Sequence, residues 1–253
     1  MTTTHTPRHA AAVLPDGAGE SVAGFGIMGL PLANGKYLAF RDFPAASFLP
    51  ASAPGYRTVW HRDPDGVWTF YATTAAQVSC ARYFSSAMHT THQCAVDTEW
   101  TDDYTLVIDI PDVLHWTVRL ERTPASTALS WVGERLPNRV WTSRRALGVL
   151  GRVAGPLLRT GDLRLAGTLP NGQDYRIAPK LIWTVAESRA ELFGVDLGPA
   201  AALAVQARLG AFLLPQRGVA VVGQGRFEAF DPRRHVSADD KTPGFAEKPG
   251  ALT

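Results

Sequence analysis

Asp109 and His115 flank the turn Pro111-Asp112-Val113, and both are residue types that move protons. If Ile110 faces Leu114 across that turn, Asp109 faces His115 on the next strand. A carboxylate beside an imidazole favours the protonated ring and fixes its tautomer, which is what a general base requires. The bland alternative is an exposed cross-strand ion pair, because Thr117, Arg119 and Glu121 alternate on the same side as His115. His61 is the other acid–base candidate. It closes the run Arg57-Thr-Val-Trp-His61, in which Arg57 and Trp60 are also candidates for contact with a ligand. Tyr71, Trp116, Gln173 and Trp183 complete the expected binding set, since a few polar groups among aromatics is the usual composition of a small-molecule site.

Other groupings are weaker. Gly24-Phe-Gly26-Ile-Met-Gly29 matches G-x-G-x-x-G, but Pro31 and Asn34-Gly35 stop any helix that would have to follow it. A glycine-rich first strand is the better reading. His89, His92 and Cys94, with Cys80 upstream, are zinc-ligand types, yet their spacing matches no standard finger and no second C-x-x-C pair supports them. No metal and no cofactor is expected, and the two cysteines read as small buried hydrophobes. Lys180 would need a desolvated amine to form a Schiff base, which the sequence cannot show. Between Ser130 and Thr160, six arginines (135, 139, 144, 145, 152 and 159) face the single acid Glu134. Such a segment reads as the solvated face of a helical cap, or as a surface for anionic lipid or a protein partner.

The elements that must hold these groups are mostly strands. Asn34-Gly35 separates Ile27–Ala33 from Lys36–Phe43, and Asp63-Pro64-Asp65-Gly66 separates Tyr56–Arg62 from Val67–Thr73. Both are hairpin turns, and the second places Trp60 opposite Phe70. Ala95–Thr101, Tyr104–Ile110 and Leu114–Arg122 follow with period-2 hydrophobicity, one face apolar and the other polar. The spacing then lengthens, predicting two short helices near 126–160. Strands are predicted again over Asp162–Leu169 and Tyr175–Ala186, with a turn at Glu187-Ser188 leading to Ala190–Leu197. One further helix is expected over Pro199–Leu209, before a closing strand Gly218–Phe230.

The chain of 253 residues is 45% hydrophobic, carries a net charge of +2 and has 18 Pro and 23 Gly. That balance implies no polyanionic partner, so no nucleic acid, and it suits short elements with many turns. The expected organisation is a disordered arm at 1–20, one β-rich domain at 21–230 with the helical insert, and a flexible tail at 231–253. Neither a signal peptide nor a transmembrane helix is expected, which places the protein in the cytoplasm with both thiols reduced. Antiparallel strands in this number must protect their edges. The fold class is therefore mainly β, an antiparallel lipocalin-like barrel or two packed sheets, with the insert over one end.

The segments Arg57-Thr-Val-Trp-His61, Ser79-Cys-Ala-Arg-Tyr-Phe84, Leu169-Pro-Asn-Gly-Gln173, Gln206-Ala-Arg-Leu-Gly210 and Pro215-Gln-Arg-Gly218 resemble recurring segments of uncharacterised actinobacterial proteins. That resemblance spans most of Gly24–Phe230 and implies no activity. In architecture alone, the chain is similar to lipocalin-like proteins of the carotenoid hydratase type. The expected function is binding of an apolar small molecule inside the barrel, with cofactor-free cyclisation, hydration or isomerisation as the accompanying chemistry. The alternative is a non-catalytic peripheral protein that docks through its basic insert.

Overall fold

The computed structural model describes residues 6–7, 13–50 and 52–238. The first hairpin joins β1 (Glu20–Pro31) to β2 (Tyr37–Ala46). Its turn is closed by Gly35 at φ 83°, the left-handed conformation that Asn-Gly supplies. β3 (Tyr56–Arg62) and β4 (Trp68–Ala72) follow, with Trp60 opposite Phe70 as the turn sequence predicts. A short 3-10 turn (Ala76–Val78) and helix α1 (Ala81–Phe84) then lead to β5 (Thr90–Gln93), which joins β4 in parallel. β6 (Asp97–Trp100), β7 (Thr105–Ile110) and β8 (Leu114–Glu121) form a meander in which Asp109 pairs with His115.

The insert contains three helices, not two: α2 (Pro124–Arg135), α3 (Asn138–Thr142) and α4 (Arg144–Leu158). Pro137 stops α2 and begins α3, and Ser143 caps α4 by accepting from Ala146 N. The remaining strands are β9 (Ala166–Thr168), β10 (Asp174–Leu192), β11 (Val195–Asp196), β12 (Arg208–Leu209), β13 (Phe212–Leu213) and β14 (Val219–Phe227).

Three local expectations are corrected. No turn forms at Glu187-Ser188. β10 runs through it, because Glu187 and Ser188 pair with Arg119 and Val118 of β8 while a bulge beside Glu187 absorbs the bend. The reversal comes instead at Phe193-Gly194, with φ 53° and 74°. No helix forms over Pro199–Leu209, despite its alanines. Ala201 N donates to Pro31 O and Ala33 N to Pro199 O, so pairing with the β1–β2 turn overrides helix propensity. The predicted strand Asp162–Leu169 shrinks to β9, since its first half lies along α4. A Cβ on Gly151 or Gly155 would stand 2.4 Å from Leu163 O or 2.5 Å from Gly161 O, which is why this face of α4 is glycine.

One sheet in the order β5-β4-β3-β2-β1-β14-β10-β8-β7-β6 carries the fold, with β9 and β11 pairing to β10. The mainly β class and a barrel-like curl are thereby shown, as a half-barrel of a single sheet and not two packed sheets. The outermost strands β5 and β6 are joined by Cys94, Ala95 and Val96 alone, so one rim brings the two edges within about 15 Å. Phe25 of β1 meets Trp100 of β6 edge-on with ring centroids 5.5 Å apart, a contact only a curled sheet allows. The concave interior is filled by Ile27, Phe40, Val59, Ile108, Trp116 and Trp183 among others, all essentially inaccessible.

The convex side is covered unevenly. Over β6–β8 it is bare. Over β10 and β14 sit α2 and α4, and over β1–β4 sit α1 and the segment around Leu209–Leu214. A bulge between Pro179 and Leu181 breaks the β10 ladder, and Ser130 of α2 repairs it by accepting from Ile182 N at 2.9 Å. The expected loose ends lie partly outside the described residues. Within them, Gln224 donates to Val13 O, Val236 N donates to Asn171 O, and His235 is buried.

Candidate functional site

The sheet's convex side carries a hollow over its middle strands, which present small residues there. Gly24 and Gly26 of β1 alternate outward, as do Gly223 and Gly225 of β14. Two adjoining cavities of about 90 and 80 Å³ occupy this ground and share Met28, Arg41, Ile177, Phe212 and Val221 as walls. The first runs under α4, bounded by Ala154 and Leu158. The second runs toward α1, bounded by Trp60, Cys80 and Phe84. The walls are almost wholly apolar, and no acidic residue is among the described residues that line them.

Arg41 stands at the junction. It lies on β2 between Gly26 of β1 and Thr58 of β3, and a Cβ on Gly26 would come within 2.8 Å of its Cδ. The guanidinium is buried and donates to Ile27 O, to Phe40 O at 2.8 Å and to Met28 O at 3.0 Å. It also lies over the Trp60 ring, 4.8 Å from the centroid. Burial lowers its pKa to about 10, countered by Cys80, Tyr37 and Tyr56, so it keeps its charge at neutral pH. Its neighbours are uncharged there: burial pushes the Cys80 thiol up to about 11 and the Tyr175 hydroxyl up to about 12. The Tyr37 hydroxyl, also pushed up by burial, donates to Pro215 O at 2.7 Å.

The residues expected from the sequence are dispersed around this centre. Trp60 lines the second cavity and stacks on Phe70 at 4.5 Å, and its indole N–H has no hydrogen-bond partner among the described residues. Tyr71, Trp116 and Trp183 belong to the packed interior, where Trp116 donates to Ser188 Oγ. Arg57 is half-exposed and pairs with Asp42 at 3.3 Å. Gln173 is buried away from both cavities, donating to Glu228 O and accepting from Asn171.

His61 shares the concave face with Val59. Burial, assisted by Lys36 and opposed by Asp63, lowers its pKa to about 4. Asp109 Oδ1 and His115 Nδ1 are 2.6 Å apart but 47% and 59% exposed, on the bare side of β7–β8. The pairing geometry is as predicted, and its setting is the solvated one. The zinc-type residues serve separate contacts: His89 Nδ1 accepts from Trp68 N, His92 stacks on Tyr71, and Cys94 N donates to Ala72 O.

No protein-family model and no curated protein matches the chain. The functional reading therefore rests on geometry. Arg41 is the residue that pattern reading missed. A usable signal was present: Tyr37-Leu-Ala-Phe40 is apolar on both alternating sets, which marks a strand covered on both faces, and Arg41 continues the covered set.

Proposed function

We propose that this protein binds an apolar small molecule in the paired cavities on the convex side of its sheet. The observation that supports this most directly is the pair of adjoining apolar hollows that share Phe212, the first bounded by α4 and the second lined by Gly24, Gly223 and Gly225. Packed proteins rarely leave such space unfilled without a use for it. The binding place differs from the expected barrel interior, where aromatic side chains fill the room. The site favours carriage over turnover, since the tyrosines and the thiol facing it hold their protons far above neutrality and His61 lines neither cavity. We place this carrier in the cytoplasm, where Cys80 and Cys94 stay free. Thermal-shift and native mass spectrometry against small apolar compounds, from monoterpenoids to medium-chain acyl compounds, test the reading. Stabilisation with one-to-one binding is expected, and the absence of any binder would overturn it.

A second reading is favoured by α4. Val149, Val153 and Leu157 recur every fourth residue and are 56%, 51% and 52% exposed, with Trp131 of α2 exposed beside the same insert. Arg145, Arg152 and Arg159 flank the stripe, and among the described residues no helix is long and apolar enough to cross a membrane. An apolar stripe edged by arginines suits an anionic lipid surface. Co-sedimentation with phosphatidylserine vesicles should fall on charge reversal at the three arginines. Equal partition of both proteins would remove this reading.

A further inference from the structure

We propose that the ligand is a monocarboxylic acid with an apolar body, its carboxylate held by Arg41 and its body lying in the two cavities. The proposal rests on the binding reading above and names the chemical class of the occupant. Arg41 is a buried cation without an ion-pair partner among the described residues. A guanidinium has five N–H donors, and here three hydrogen bonds to backbone carbonyls are formed. Donor capacity therefore remains on a charge that has no counter-ion among the described residues. A buried charge left this way is costly unless something pairs with it. The planar fork matches a carboxylate better than any neutral head group.

Two surrounding features suit the same class. Trp60 lines the second cavity with the Arg41 guanidinium over its ring, which keeps that charge beside the cavity wall. The first cavity shares Leu163, Arg164 and Leu165 as a wall with a polar groove of about 550 Å³ along α4. That groove presents Arg152, Arg159 and Arg164 against Asp162 alone, a basic approach that raises the local concentration of an anion. One buried cation balances one negative charge, so a monoanion fits where a phosphate monoester would bring uncompensated charge inside. The combined hollow is about the size of the engineered cavities that accept a benzene ring, which sets the scale at a medium-chain or single-ring acid.

The experiment is a calorimetric titration of the full chain with hexanoate and with 1-hexanol, which share a chain and differ in the head. Wild type should bind hexanoate about ten- to a hundredfold more tightly, the range for a charge-assisted hydrogen bond. Arg41→Met should erase that preference. Arg41→Lys, which keeps the charge and loses the fork, should retain part of it. The wild-type ratio tests the proposal even if Arg41→Met does not fold. Equal affinity for the two, or a preference for the alcohol, would overturn the carboxylate assignment and leave the cavity reading standing. Failure of both to bind would overturn the assignment together with the reading beneath it.

Discussion

The interior imidazole of His61 makes the stability of this fold depend on pH in a defined direction. Its ring is 8% exposed, and Nε2 has no hydrogen-bond partner among the described residues. The folded pKa is about 4 against an ordinary value of 6.5. Between those values the unfolded chain binds a proton that the folded chain refuses. Stability is therefore complete above about pH 6.5 and is lost as the pH falls toward 4. At about 1.4 kcal/mol per pH unit the full difference is about 3.4 kcal/mol, and partial solvent access lowers the expectation to about 1–3 kcal/mol.

The measurement is urea denaturation of wild type and His61→Leu at about pH 7.5 and about pH 4.5. Carboxylates that titrate in the same window act on both proteins and cancel in the difference. Wild type should lose about 1–3 kcal/mol more than the variant. Equal losses would refute the reasoning, as would NMR signals showing the His61 ring protonating near its ordinary pKa in the folded protein.

Asp109→Asn should change stability by no more than about 1 kcal/mol, because the pair it breaks is exposed; a larger loss in denaturant midpoint would show that the bare side of β7–β8 is covered in solution. Gly29→Ala should cost about 2–4 kcal/mol or prevent folding, since the new Cβ would stand 1.7 Å from the Tyr37 hydroxyl oxygen; an unchanged melting temperature would contradict the close approach. Val221→Phe enlarges a wall shared by both cavities and should cost no more than about 1–3 kcal/mol of stability while abolishing hexanoate binding; retained binding would move the ligand elsewhere.

What the sequence disclosed and what it hid follow from the range of the forces involved. Turn chemistry is local, so Asn34-Gly35 and Asp63–Gly66 fix their hairpins, and with them the Trp60/Phe70 register. Alternation is also local, and it places Leu106, Ile108 and Trp116 inward and leaves Asp109 and His115 outward. Coverage of the outward face is decided elsewhere in the chain. The alanines of Pro199–Leu209 have high helix propensity, yet they form an extended coat because Pro31 O and Ala33 N need partners. Glu187-Ser188 reads as a polar turn, yet β8 pairs with it on one side. The aromatic residues expected to line a site are mostly the ones that fill the interior, because large rings bury the most area and are used first for packing.

That allocation explains why the hollow lies outside the curl. A sheet whose edges approach through Cys94–Val96 has a narrow interior, and Trp116, Trp183 and Phe40 occupy it. The outward side of the central strands then needs a second layer. Glycine there lets coil and helix approach in some places and leaves space in others. Where the backbone of the cover comes close, as α2 does to β10 with a Cβ built on Gly133 2.7 Å from Lys180 O, the glycine is a packing requirement. Beside Gly26 the long side chain of Arg41 takes the room, and Arg41 lines both cavities. An apolar side chain there would leave Ile27 O, Phe40 O and Met28 O without the donors that Arg41 brings to the irregular stretch of β1, so part of the reason for an arginine at position 41 lies in the fold. The carboxylate proposed above would take the donors that remain and balance the charge that those carbonyls leave uncompensated.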